Sequence, residues 1–367
     1  MTTYKRLGDY IREVNVRNRD EKVTNLLGLS VSKEFMPSIA NTIGTDMSTY
    51  KIVKENQFVY IADTSRRGDK IAIALLTDYE NAIVSQAYTV FEITDHNQLL
   101  PEYLMMWFRR PEFDRYARFH SHGSAREIFD WDELCNVMIP LPSIDRQHEI
   151  VEEYETLTNR IHLNEQMIQK LEATAQTLYR KMFVDNIDKE NLPAGWRMGT
   201  LGEISTLKAG GDKPIEFSEQ KTEVYNIPVY ANGIENKGIF GYTTKPIVKA
   251  KSITISARGT IGYCFLRKQP YVPIVRLVVI IPKNEIATQY LYYHLNSSNI
   301  KGSGSVQSQL TVPDMEGKDI IIPPHQLIQE FNDKVEVIDK VIEMHEQENS
   351  KLSELQSLLL AKMGQQI

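Results

Sequence analysis

An α+β protein in which a globular block and a long helix each occur twice is the fold class predicted here, and three observations predict it. The stretch "IHLNEQMIQKLEATAQTLYRKM" from Ile161 returns as "IEMHEQENSKLSELQSLLLAKM" from Ile342, 181 residues later. At that offset, with no gap, Pro142 matches Pro323, Glu149 matches Glu330, Glu165 matches Glu346, Lys170 matches Lys351 and Met182 matches Met363. Both copies carry apolar residues in alternating four- and three-residue steps, the period of a coiled-coil seam. Outside them the chain is rich in β-branched and aromatic residues punctuated by Gly, Pro and Asp, which favours short strands and turns.

The first block, residues 1–142, opens with "YKRLGDYI" at Tyr4. Strands are expected in "QFVYIADTSRRGDKIAIALLTD" and "NAIVSQAYTVFEI", and helices in "PEYLMMWFRRPEFDRYAR". Residues 143–185 form the first long helix. "IPLPS" starts it, because proline is tolerated in a helix's first turn but not inside. Its seam is Ile150, Tyr154, Leu157, Ile161, Asn164, Ile168, Leu171, Ala175, Leu178 and Met182.

"NLPAGW" closes that helix. The second block, residues 186–322, opens with "WRMGTLGEI", where Leu201-Gly202-Glu203 echoes Leu7-Gly8-Asp9. "KSITISARGTIGYCFL" and "YVPIVRLVVIIP" supply strands, and "ATQYLYYHLNSSNI" a helix. Residues 323–367 form the second long helix after "IIPPH", with Phe331, Val335, Ile338, Ile342, His345, Asn349, Leu352, Gln356, Leu359 and Met363 on its seam. Duplication favours an antiparallel, pseudo-two-fold pairing of the helices, which brings Asn164 towards Asn349; polar seam residues of this kind fix register.

With 367 residues, the chain is long enough for at least two cores. Its 42% hydrophobic and 25% charged residues are ordinary for a soluble protein, and no apolar run approaches the ~20 residues of a membrane span. "MTTYKRLGDYIREV" has no secretory-signal character, so the cytoplasm is the expected location and no membrane partner is expected. Cys135 and Cys264 are far apart and outside any CxxC, which argues against a disulfide framework or a cysteine zinc site. The net charge of −6 is unevenly spread: residues 1–142 hold 17 basic and 20 acidic side chains, 143–195 hold 6 and 10, 196–322 hold 15 and 10, and 323–367 hold 4 and 8. The acid sits largely in the helices, and residues 196–322 of the second block, at +5, are basic enough to lie on a polyanion.

This layout resembles the specificity subunit of type I restriction-modification systems, and the resemblance covers the whole chain. It is carried by "VMIPLPSIDRQHEIVEEYETLTNRI" leading into the first helix, by "LPAGWRMGTLGEI", and by "IPVYANGIENKGIFGYT" with "ITISARGTIG" in the second block. "IIIPPHQLIQEF", ahead of the second helix, departs from it by lacking the acidic residue and Arg of "SIDRQHEI". The resemblance implies two target-recognition domains, each reading one half of a split, asymmetric site in double-stranded DNA. It also implies two conserved helices that separate the domains and dock two methyltransferase subunits, with two motor-nuclease subunits joining for restriction. About 40 helical residues at 1.5 Å rise give at most roughly 60 Å between block attachments. That exceeds one turn of B-DNA, ~34–36 Å.

No stretch reads as a DPPY- or NPPF-type methyltransferase motif, a methyl-donor loop or a phosphate-cradling GxxxxGK[ST]. A non-catalytic chain without cofactor is therefore expected, with methyl donor, ATP and Mg²⁺ held by partner subunits. His120 and His122 form an HxH pair without a third ligand in view, for which a solvated loop is the expectation over a metal site. "AGG" at Ala209 to Gly211 reads as a plain turn. DNA contacts are expected on loops bearing Gly and Arg: Ser65, Arg66, Arg67 and Lys70 in the first block, and Tyr230, Asn232, Gly233, Lys237, Arg258, Gly259 and Thr260 in the second. A duplicated loop adds Ser124 and Arg126, with Ser305 and Gln307. The alternative is a coiled-coil adaptor whose blocks bind protein, which sequence-selective, salt-sensitive DNA binding would exclude.

Overall fold

The computed structural model describes residues 3–38, 44–123, 127–185, 187–298, 300 and 309–364, without the side chains of Thr3 and Arg66. By internal packing the chain divides into two units, Met1–Asn164 with Glu346–Ile367, and Glu165–His345. Both cuts fall at the same point of the 181-residue repeat. Each long helix is therefore shared: Ile144–Phe183 gives its first half to unit one and its second half to unit two, and His325–Met363 does the reverse.

In unit one the outer frame is Thr3–Arg6 paired antiparallel with Met138–Leu141. Within it lies a four-stranded antiparallel sheet in the order Ile11–Val14, Thr89–Ile93, Phe58–Ile61, Ala72–Leu75. Side chains of a strand alternate between faces, and here both faces are covered. Phe58 and Tyr60 join a core with Phe91, Phe108 and the helices, while Val59 and Ile61 join another with Leu27, Val53 and Val84. The expected helical stretch is two helices, Pro101–Arg109 and Pro111–Phe119, because Pro111 disfavours helical backbone at Arg110.

Unit two repeats the plan. Arg197–Thr200 pairs with Asp319–Ile322, and the four-stranded sheet runs Ser205–Ala209, Val278–Pro282, Ser252–Ile255, Cys264–Arg267. A second sheet sets Ile227–Tyr230 between Ile239–Thr243 and Val272–Pro273. Two tethers recur at equivalent positions. Leu7 N–H donates to Val137 O at 2.8 Å, and Leu201 N–H to Lys318 O at 2.9 Å. The hydroxyl of Tyr103 donates to Pro140 O at 3.1 Å, and that of Tyr290 to Ile321 O at 2.5 Å. The Leu-Gly-acid echo has the same origin: a Cβ on Gly8 would lie 2.7 Å from the Cβ of Cys135, too close for any side chain, and one on Gly202 would lie 3.1 Å from Glu316 O, a tight approach that glycine relieves.

The helices pair antiparallel in unit one, since Thr158 meets Gln356 at 2.7 Å while Asn164 meets Asn349 at 2.8 Å. Asn164, 2% exposed, also donates to Glu348 at 3.0 Å, and the Arg160 guanidinium grips the same carboxylate through 2.9 and 3.1 Å bonds. Along the seam Tyr154 and Val335 are buried, and Leu157, Ile161, Ile168, Leu171, Ile338, Ile342, His345, Asn349 and Leu352 are half-buried. Near the helix ends the buried face leaves the heptad. Ala175, Tyr179 and Phe183 are buried where Leu178 is half-buried, and Leu360 is buried where Leu359 is half-buried. There the helix docks on the globular block as well as on its partner helix, Tyr179 lying 5.8 Å from the Tyr290 ring and Phe183 5.3 Å from the Phe331 ring, so a straight helix's 3.6-residue face takes over.

The two lead-ins are built differently. Gln147, fully buried, donates to Gln98 O and Pro142 O and accepts from Leu100 N–H. Its repeat partner is the buried Ile328, and Asn332 supplies a tether instead by donating to Ile286 O at 2.8 Å. No helix among the described residues is long and apolar enough to cross a membrane.

Candidate nucleic-acid interface

Four loops of unit two are knitted into one surface, and Asn232 is the knot. Its side-chain amide donates to Val275 O at 2.7 Å, and its carbonyl oxygen accepts from Ala257 N–H at 2.7 Å. Gly233 N–H reaches Ser256 Oγ at 3.3 Å, while Val275 N–H bonds Gly211 O at 2.8 Å and Arg276 N–H bonds Gly210 O at 3.2 Å. The "AGG" stretch is thus more than a turn. A Cβ on Gly210 would stand 2.8 Å from the backbone nitrogen of Ile274, so glycine is what lets the two loops touch.

Beneath this surface Arg267, 4% exposed, is stacked 3.5 Å from the Tyr230 ring centroid and bonded to Thr254 Oγ1 and Lys237 O at 2.9 and 2.6 Å. Burial lowers its guanidinium pKa, and the neighbouring Tyr230 and Tyr271 rings oppose that shift. Stacking and fork-like hydrogen bonding are properties of Arg that Lys lacks. Arg267 thereby fixes the 235–238 turn, in which Asn236 and Lys237 have positive φ. Of the residues expected to contact DNA, Asn232 and Tyr230 are engaged inside the protein, whereas Lys237, Arg258, Gly259 and Thr260 are exposed on the rim. Arg258 reaches Gln309 Oε1 at 3.1 Å.

In unit one, Ser65–Arg67 form a single 3-10 turn ended by Gly68 and Asp69, both with positive φ. Thr64 pins this loop by accepting a backbone bond and donating to Glu127 O and Ser121 Oγ, and Arg118 joins Asp69 to Glu127. Lys70 is exposed; Arg67 is half-buried, and its Nε has no hydrogen-bond partner among the described residues. Ser124, Arg126, Ser305 and Gln307 lie outside the described residues, as does the Arg66 side chain. His120 and His122 both face Glu133, at 3.4 and 3.6 Å, and among the described residues no group of three or more His, Cys, Asp or Glu is placed to hold a metal ion.

The family model for the type I restriction modification DNA specificity domain matches residues 27–173 and again residues 193–354. The chain belongs to the type I restriction-modification DNA specificity family. Among type I specificity proteins, it aligns with the HindI specificity subunit of Haemophilus influenzae at 21% identity, over 97% of each chain. The MjaIX specificity subunit of Methanocaldococcus jannaschii is 23% identical over 72% of this chain and 68% of that protein. A Mycoplasma pneumoniae protein provisionally named a type I specificity subunit is 40% identical over 124 residues, so the chain spans only 37% of that relative's length. The crystal structure of an S subunit from M. genitalium covers 99% of this chain and 96% of its own, with a TM-score of 0.55 at 17% identity, a likeness of fold.

Each long helix of this chain also exposes apolar residues that its sequence period did not reveal. Leu163 and Met344, equivalent in the repeat, are 58% and 68% exposed on the two long helices, and Val337 and Val341 extend the stripe on the second. Apolar residues at i, i+4 and i+7 on one helix form a contiguous face. They were missed because a seam reading follows the buried positions.

Proposed function

We propose that this chain is the non-catalytic specificity subunit of a type I DNA methyltransferase. Each block reads one half of a split, asymmetric site in double-stranded DNA, and the helices dock two methyltransferase subunits. In a restriction complex two motor-nuclease subunits join them. Methyl donor, ATP and Mg²⁺ belong to those partners. One observation carries the reading: the blocks share a sheet order and their tethers, yet differ in their loops. A shared frame with divergent loops is what two readers of different half-sites require, because base contacts and not the frame carry sequence information. The repeat-equivalent exposed Leu163 and Met344 support two similar docks.

The test is co-expression of the full chain with the type I methyltransferase subunit of its own host, followed by single-molecule mapping of methylated adenines. A split motif with a fixed unspecified gap is expected. A short continuous motif would leave only one block as a reader, and no methylation at all would favour a protein-binding adaptor.

A further inference from the structure

The turn Ile274–Leu277 joins the two sheets of unit two, closed by Leu277 N–H to Ile274 O at 3.1 Å. Its central residues, Val275 and Arg276, have φ of 53° and 62°, the pair of positive values that a type I′ turn demands. Asn-Gly is the usual occupant. A β-branched Val in the left-handed region is a genuine outlier and is strained there. The strain is held in place from outside by Asn232, Gly210 and Gly211, which bond the backbone of Val275 and Arg276. Neither side chain offsets that strain by packing, since Val275 is 48% exposed and Arg276 is exposed as well. Among the described residues no carboxylate forms an ion pair with Arg276. The equivalent turn of unit one, closed by Tyr88 N–H to Ser85 O at 3.0 Å, has Gln86 and Ala87 at its centre, neither with positive φ.

We infer that Arg276 is a specificity-determining residue of the second block, an exposed guanidinium carried on a rigidly held turn that reads a base edge of one half-site, with Val275 shaping its approach. The inference rests on the proposed DNA reading. Backbone held rigid by its surroundings fixes where a side chain leaves the surface, and an exposed Arg rooted there can reach the paired acceptors of a guanine edge. The loops knitted to this turn also carry Arg258 and Lys237, both exposed, which add positive charge to the same surface.

The experiment compares the full chain, Arg276→Ala, and the double variant Val275→Asn, Arg276→Gly, each co-expressed with the methyltransferase, by adenine mapping and by thermal unfolding of the purified complexes. The double variant installs the usual type I′ residues, so its Tm is expected to hold or rise. Both variants are expected to relax one base position, in one half-site only, and with it to lower methylation of the wild-type motif by roughly 5- to 100-fold. Wild-type motif and extent in both variants would overturn the inference while leaving the two-reader proposal standing. Uniform weakening without a change of motif would make Arg276 a phosphate contact and overturn its role in specificity. A double variant of lower Tm would make the turn structural and overturn it too. A wild-type chain that directs no motif would instead bring down the DNA reading itself.

Discussion

His294, half-buried on the helix Ala287–Ser297, sets its Nδ1 2.9 Å from the hydroxyl of Tyr179 on the first long helix. Burial, reinforced by Lys318 and Lys189, holds its pKa down at about 4, against 6.5 for a free histidine. As pH falls below 6.5 the unfolded chain takes up this proton first, so the contribution to stability is full above that pH and lost towards pH 4. It is worth at most roughly 3 kcal/mol. Denaturant unfolding from pH 7 to 4 is expected to show stability falling with pH, and His294→Asn to flatten that slope; identical slopes would rule the histidine out. Side chains such as this one show the limit of sequence reading at the residue scale. The types of Asn232 and Tyr230 fit DNA contact, but their hydrogen bonds and stacking are taken up by Val275, Ala257 and Arg267, partners that only the folded sheet brings near. Arg276 carried no local signal, because its strained turn is recognisable only once the two flanking strands are placed.

The long helices were legible because a heptad seam is a local, periodic signal repeated 181 residues on. Their ends were not, since Tyr179, Phe183 and Leu360 are buried partly by the blocks and obey a different period. In the middle, the Asn164–Asn349–Glu348 contact with Arg160 places polar groups where apolar ones would pack. A buried polar seam residue lowers stability and fixes register. Asn164→Leu is therefore expected to hold or raise Tm while loosening the pairing. A Thr158→Cys, Gln356→Cys pair should then form its disulfide in lower yield than in the Asn164 background. Undiminished yield would deny Asn164 that role. The blocks' strands were legible from β-branched runs, whereas their shared sheet order was not, because pairings between residues as distant as Ile11 and Ile93 leave no mark on local composition.

At the scale of the molecule, each unit has its own hydrophobic core and its own candidate rim. Changes on the two rims are accordingly expected to act independently. Lys70→Ala should affect recognition of one half-site and Arg258→Ala the other. Removing one cation that neutralises a phosphate should make the salt dependence of DNA binding shallower, its logarithmic slope falling by about 0.9. Binding titrations of the methyltransferase complex across salt concentrations check this, and identical effects of both variants on the same half-site would refute it. Composition hinted at the asymmetry, with residues 196–322 at +5 and residues 1–142 at −3, but which loops bear the charge depended on the fold.

The strand pairs that frame the blocks, Thr3–Arg6 with Met138–Leu141 and Arg197–Thr200 with Asp319–Ile322, put the first and last strands of each block side by side. A segment whose two ends are hydrogen-bonded neighbours can be exchanged for another of different length and loop content, and the flanking helices meet the same anchor points. Each block is in that sense a cassette: inheritance can replace one block wholesale and leave the other, and the helices between, untouched.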